Sequence, residues 1–200
     1  MFSGIKSRPM YAGLSPDPHA RLNLIVCDLG GADAVAALLK GADRSFAERT
    51  EIILSAAGAS ADDTAAIEKR LAPAKVAIEP DLDAAIARLG TKLASAVMGL
   101  RLYAAGTEPL IGSVVKTAIE NLIDPLSVKT EHRGSLARRV QCVHCKGITE
   151  NVTTNPVTCS QCGLLLMVRD HYSKRLAAFQ GVCINAETPD VRPEPKVEFQ

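Results

Sequence analysis

Two Cys-x-x-Cys pairs, Cys142/Cys145 and Cys159/Cys162, restrict this chain more than any other feature. Each pair presents two sulfurs on one side of a tight turn. Thirteen residues separate the pairs, room for one short hairpin, and Asn151 and Asn155-Pro156 supply turn residues within it. Bringing the two turns together makes a tetrahedral four-sulfur site, which suits zinc or a single iron. A [2Fe–2S] cluster also uses four cysteines, but two knuckles around a hairpin fit one ion better. Gly163, directly after the second pair, suits a turn whose amides point at sulfur and tune the ion. A four-thiolate ribbon of this size is most often a structural zinc site, so the residues alone lean towards zinc and leave iron open.

Ahead of this module the chain alternates. Apolar runs at residues 22–29, 50–58, 75–80 and 100–106 read as strands, and SVKTEH at 127–132 reads as a short last one. Between them lie helical patterns: ADAVAALLKGA after Gly30-Gly31, DDTAAIEKRLA capped by Asp62 or Asp63, LDAAIARLGTKLASAV capped by Asp81, and EPLIGSVVKTAIENLI capped by Thr107. Strand–helix alternation with short connections implies α/β architecture: a Rossmann-like parallel sheet covered by helices. Near-continuous apolar strands fit a sheet buried on both faces. The expected layout is an N-terminal arm at 1–19, the α/β domain at 20–134, a small β-rich four-Cys module at 135–186 and an extended, Pro-rich tail at 187–200 that could lie along a partner.

Composition excludes several roles. A net charge of +1 supplies no basic excess for nucleic acid. No apolar run reaches the roughly 18 residues of a membrane span, and the start lacks a signal-peptide core. The expected compartment is therefore cytoplasmic, where paired cysteines mean metal more often than disulfide. Aromatic residues are only 4% of the chain and Trp is absent, so stacking platforms for bases are scarce.

Other residues are open to two readings. His144, inside the first knuckle, reads first as a solvent-facing residue and second as part of a partner-docking or electron path. Arg169, Asp170, His171, Tyr172, Lys174 and Arg175 crowd the segment after the module. They form either a strand end passing into a short polar helix, or a docking surface in which Arg169, His171, Tyr172 and Arg175 meet a partner. Cys27 and Cys183 read as small buried hydrophobes. No catalytic set assembles from the sequence.

Three stretches, LNLIVCDLGGADAVAALL, TEIILSAAG and LRLYAAGTEPLIGSVVKTAIENLIDPLSVKTE, resemble successive pieces of the NAD-binding half of ferredoxin-reductase-type flavoproteins. The early turn here holds Gly30-Gly31 without the longer Gly-x-Gly run, and the late turn reads YAAGTEP. With only the short lead of residues 1–19 before the first strand, no flavin-binding barrel is expected ahead of it. The domain therefore resembles a reductase nucleotide domain that has lost its cofactor. The four-Cys module resembles zinc ribbons and rubredoxin-type iron sites.

Taken whole, IKSRPMY, the degenerate reductase-like domain, GSLARRVQCVHCKG and CGLLLMVRDHYSKRLAAFQGV resemble the small-subunit family of bacterial dimethylamine monooxygenase. That resemblance implies a subunit of an NAD(P)H-dependent complex that demethylates dimethylamine to methylamine and formaldehyde. Its partners would be a haem-containing oxygenase subunit and a flavin/[2Fe–2S] reductase subunit. It also shifts the expected ion from zinc to iron, because zinc carries no redox chemistry. Two alternatives stay in view: a zinc-ribbon scaffold in the same complex, and an independent NAD(P) oxidoreductase contacting nucleotide through Gly30, Gly31 and Gly106.

Overall fold

The computed structural model describes residues 7–200; Ile5 and Lys6 of the IKSRPMY stretch lie outside them. Two compact units are present. One is Tyr11–Gly134; the other is Ser135–Gln200 with the described residues up to Met10.

The first unit runs β1 (Leu22–Asp28), α1 (Ala32–Gly41), α2 (Arg44–Glu48), β2 (Thr50–Ser55), α3 (Ala61–Leu71), β3 (Lys75–Glu79), α4 (Leu82–Ala94), β4 (Leu100–Gly106), α5 (Glu108–Glu120) and β5 (Lys129–His132). A 3-10 turn at Pro125–Ser127 precedes β5. The five strands are parallel, in the order β3-β2-β1-β4-β5. Their side chains alternate between two cores, as the two-residue strand period dictates. Leu24, Val26, Ile53, Leu102 and Ala104 pack with Ala85 and Leu89 of α4 and Leu110 and Val114 of α5. Ile25, Cys27, Ile52, Leu54, Tyr103 and Ala105 pack with Val35 and Leu38 of α1, Phe46 of α2 and Leu71 of α3. Both faces of the sheet are thus covered, which is why the strands read as unbroken apolar runs.

Local chemistry differs from expectation at three points. Helix α2 has no counterpart in the sequence reading, because five residues are too short to show a period. Asp43 starts it by accepting from the Phe46 amide, and burial of Phe46 holds it in place. The cap of α3 is Ser60 rather than Asp62 or Asp63; its hydroxyl accepts from the Asp63 amide while the Asp63 carboxylate accepts from the Ser60 amide. Thr107 sits at the N-cap of α5, but its side chain makes no cap bond and is turned to Asp28. Asp81 caps α4 as expected, accepting from the Ala84 amide.

The second unit is β-rich: β6 (Arg138–Cys142), β7 (Ile148–Val152), β8 (Thr154–Asn155), β9 (Val157–Thr158), β10 (Leu165–Ser173), β11 (Ala178–Cys183) and β12 (Lys196–Val197). Five of these form a sheet in the order β7-β6-β11-β10-β9, and β12 pairs with β8. No helix follows β10, contrary to one of the two sequence readings. The chain stays extended and turns back as an antiparallel hairpin. Buried Val168 beside exposed Arg169 sets the two-residue period, and Tyr172 packs edge-on against Phe179 across the strands at 4.9 Å.

The end of the tail belongs to this unit. Lys196 and Val197 pair with Asn155 and Thr154, the Phe199 amide donates to the Thr153 carbonyl, and the Leu136 amide donates to the Gln200 carbonyl. The Arg138 guanidinium lies between the rings of Phe179 and Phe199, 4.1 and 3.9 Å from their centroids. It also donates to Asp170 at 3.0 Å, whose second oxygen takes a 2.6 Å bond from Arg8. Arg138→Ala should therefore lower stability to urea by about 2–3 kcal/mol, since it removes a desolvated cation and uncovers two rings. Arg139→Ala, which breaks an exposed pair with Glu150, should cost less than about 0.5 kcal/mol.

The same cluster makes a pH signature. The bond from Arg8 holds the Asp170 carboxyl below its usual range, against burial and with further help from Arg138. A depressed folded pKa contributes stability above the unfolded value of about 3.9 and loses it as pH falls through the folded one. The stability advantage of the natural chain over Asp170→Asn, followed by urea unfolding, should be full at neutral pH and shrink below about pH 4.

Candidate metal centre

Two matching turns build the site. The first starts at the end of β6: the Cys142 amide donates to the Gly147 carbonyl, and the Lys146 amide donates back to the Cys142 carbonyl at 2.9 Å. The second follows β9: the Cys159 amide donates to the Leu164 carbonyl, and the Gly163 amide to the Cys159 carbonyl at 3.1 Å. In each turn the residue after the second cysteine is left-handed, Lys146 at φ 64° and Gly163 at φ 72°. Glycine takes that conformation freely, whereas Lys146 is held there by the bonds of its turn. The equivalence shows that the sequence repeats one knuckle twice, although only one copy carries glycine.

The four sulfurs converge. Cys142 and Cys162 are 3.8 Å apart and Cys145 and Cys159 are 3.7 Å apart, and all four lie within 4.8 Å of one another. Sulfurs each ~2.3 Å from a common tetrahedral centre stand ~3.8 Å from their neighbours. The arrangement therefore fits one four-thiolate ion. All six cysteines are free thiols. The Gly147 amide also points at the Cys145 sulfur at 3.4 Å, a bond that favours thiolate. A Cβ on Gly147 would overlap the Gln161 side chain, so the two knuckles touch through that glycine.

Charge inside the cluster is in conflict without a cation. Burial works against ionising Cys159, but the amides of Cys162 and Gln161 and hydrogen bonds from the Cys162 and Cys145 thiols outweigh it, bringing its pKa down to about 6. At Cys162 the Leu164 amide favours the thiolate. Burial and the neighbouring sulfurs of Cys159, Cys145 and Cys142 prevail, and its pKa rises to about 12. Cys159 and Cys162 are thus pushed in opposite directions within the same cluster. A central cation would remove the conflict by stabilising every thiolate at once.

The site has a closed side and an open side. Cys142 and Cys159 are buried in the core of the unit with Val140, Val152, Leu166 and Phe179, whereas Cys145 and Cys162 are half-buried. His144 is exposed in the first knuckle. Arg169 and His171 are exposed on β10, Tyr172 is half-buried, and Arg175 is exposed in the hairpin turn. Strand β10 leaves the second knuckle at Leu165 and, past an irregularity between Arg169 and Tyr172, sets Tyr172 opposite Phe179 of β11. The structure brings the four cysteines together with His144 exposed in the first knuckle, and packs Tyr172 against the core that holds Cys142 and Cys159. Gly30, Gly31 and Gly106 lie in the other unit, at the carboxyl ends of β1 and β4.

Two contributors escaped the sequence reading. The Gly147 amide is one; a glycine two residues after CxxC was its only signal. Arg138 is the other, since its partners Phe199 and Asp170 are remote in sequence. Among the described residues no helix is long and apolar enough to cross a membrane.

Comparison with known proteins adds relatives. Residues 3–128 match the family model described as dimethylamine monooxygenase subunit DmmA-like, N-terminal domain, and residues 139–182 match the corresponding C-terminal domain. A heme-dependent oxidative N-demethylase delta subunit from Ectopseudomonas mendocina (strain ymp) is 37% identical over 103 residues, covering 50% of this chain and 58% of that protein. The chain thus spans little more than half the length of that curated relative. No solved structure matches this chain.

Single Cys→Ser changes at positions 142, 145, 159 and 162 should each strip bound metal from the purified chain, read by elemental analysis. Cys27→Ser should leave metal content unchanged, because Cys27 is buried in the sheet of the other unit.

Proposed function

We propose that this chain, which belongs to the DmmA-like family of dimethylamine monooxygenase subunits, serves an oxidative N-demethylase complex as a non-catalytic subunit that relays electrons. In this reading the complex oxidises dimethylamine to methylamine and formaldehyde in the cytoplasm, with electrons drawn from NAD(P)H. A flavin/[2Fe–2S] reductase subunit supplies them and a haem-containing oxygenase subunit consumes them. Cys142, Cys145, Cys159 and Cys162 hold one iron, which when bound supplies one-electron redox chemistry.

One observation carries the reading. The converging four-sulfur cluster is the one group of metal-ligating side chains found among the described residues, and it sits in a member of an oxidoreductase-subunit family. The residues around it suit a relay. Burial of Cys142 and Cys159 keeps bulk water from two sulfurs, and the amide at Cys145 stabilises negative charge on a third. Half-exposed Cys145 and Cys162, with His144 beside them, leave an edge where a partner's redox centre can approach. Arg169 and Arg175 add exposed positive charge along the hairpin, with His171 exposed between them and Tyr172 behind, as a docking surface.

A second reading, a zinc scaffold with no redox role, is favoured by one fact: two of the sulfurs belong to the hydrophobic core of their unit. The two differ in metal and in what the metal does. Protein produced with iron and zinc both available should contain one iron per chain and show thiolate-to-iron bands that bleach with dithionite. A zinc-loaded chain should then assemble with its partners but support no amine-dependent NAD(P)H oxidation. Full turnover with zinc would leave the scaffold.

A further inference from the structure

The strand order β3-β2-β1-β4-β5 reverses direction between β1 and β4. In open parallel sheets a ligand binds in the crevice outside the carboxyl ends of the two strands at such a reversal, with its phosphate on helix N-terminal amides. Here that crevice is formed by Asp28 and Gly30-Gly31 after β1, and by Gly106-Thr107 after β4. The backbones approach closely: a Cβ on Gly31 would overlap the Ala105 carbonyl. The amides an anion would use are already engaged. Asp28 Oδ1 accepts from the Gly31 amide at 2.9 Å, and Oδ2 accepts from both the Thr107 amide and its hydroxyl at 2.8 Å. Gly106, at φ 143°, lies so near this carboxylate that a Cβ there would overlap it.

We propose that Asp28 is a built-in anion. Its carboxylate takes the seat of a nucleotide phosphate between the first turns of α1 and α5 and closes the crevice to dinucleotides. Three features converge on this. The carboxylate bridges two helix starts, where a negative charge is stabilised. A second acidic residue, Glu108, is buried in the first turn of α5, so acidic side chains of the chain itself gather at this helix start. The chain leaving β5 also lies over Gly30, with the Arg133 carbonyl and Gly134 Cα within 3.7 Å of where its Cβ would stand. The unit keeps the architecture of a nucleotide-binding sheet and excludes the nucleotide. It follows that this chain takes no electrons directly from NAD(P)H. The inference stands apart from the reading of the cysteine site.

Isothermal titration of the full chain with NADH, NADPH and inorganic pyrophosphate, alongside Asp28→Ala, tests this. The natural chain should show no binding at millimolar ligand. The variant should bind pyrophosphate at least about tenfold more tightly, since one like charge at close range has gone and two amides are released. If Asp28→Ala fails to fold by circular dichroism, Asp28→Ser replaces it, because a hydroxyl can still accept from one amide. Binding of NADH, NADPH or pyrophosphate by the natural chain would overturn the proposal. So would a folded variant that binds pyrophosphate no better than the natural chain, because the amides would then form no anion seat.

Discussion

Four sulfurs within 4.8 Å of one another constrain the whole second unit. A β unit of this size, with no helix among its described elements, has a thin core, and small units commonly need a staple beyond hydrophobic burial. Cys142 and Cys159 are part of that core, so the apolar packing is complete only where the knuckles meet. The strand order follows from the same requirement. Strand β6 must end where β9 ends, and β10 must start from the second knuckle, which places the long β10–β11 hairpin beside β6.

The sheet of the first unit obeys a different constraint. A parallel sheet buried on both faces must spend nearly all its side chains on packing, so polar chemistry collects at the strand ends. Asp28 stands at one such end and settles two helix starts at once. That contact explains why Thr107 fails to cap α5 with its hydroxyl. The hydroxyl is a donor to Asp28 and is therefore turned away from the first-turn amides of α5.

Legibility in the sequence tracked the distance over which an interaction acts. Strands and long helices of the first unit were readable because each repeats a local period over many residues. Asp81 was readable as a cap because its partner is three residues away. Ser60 was misplaced by two or three residues, since a run of Ser, Asp and Asp offers several competing caps and only the backbone decides among them. The β10–β11 hairpin was ambiguous because Lys174 and Arg175 suit a helix as well as a turn, and pairing of Tyr172 with Phe179 tips the balance. Strand β12 and the clasp of Phe199 on Arg138 were invisible, since those two residues are 61 positions apart in the chain.

The sequence by itself determined the parallel α/β domain and the two knuckles with a donor set suited to one ion, because period, spacing and ligand chemistry are local properties. Tertiary structure decided what those parts exclude and what they expose. It set which sulfurs face the core, turned the last residues back onto their own unit, and seated Asp28 where a ligand's phosphate would otherwise lie. Those outcomes depend on residues far apart in the chain being brought within hydrogen-bonding or van der Waals reach, and no local pattern encodes that reach.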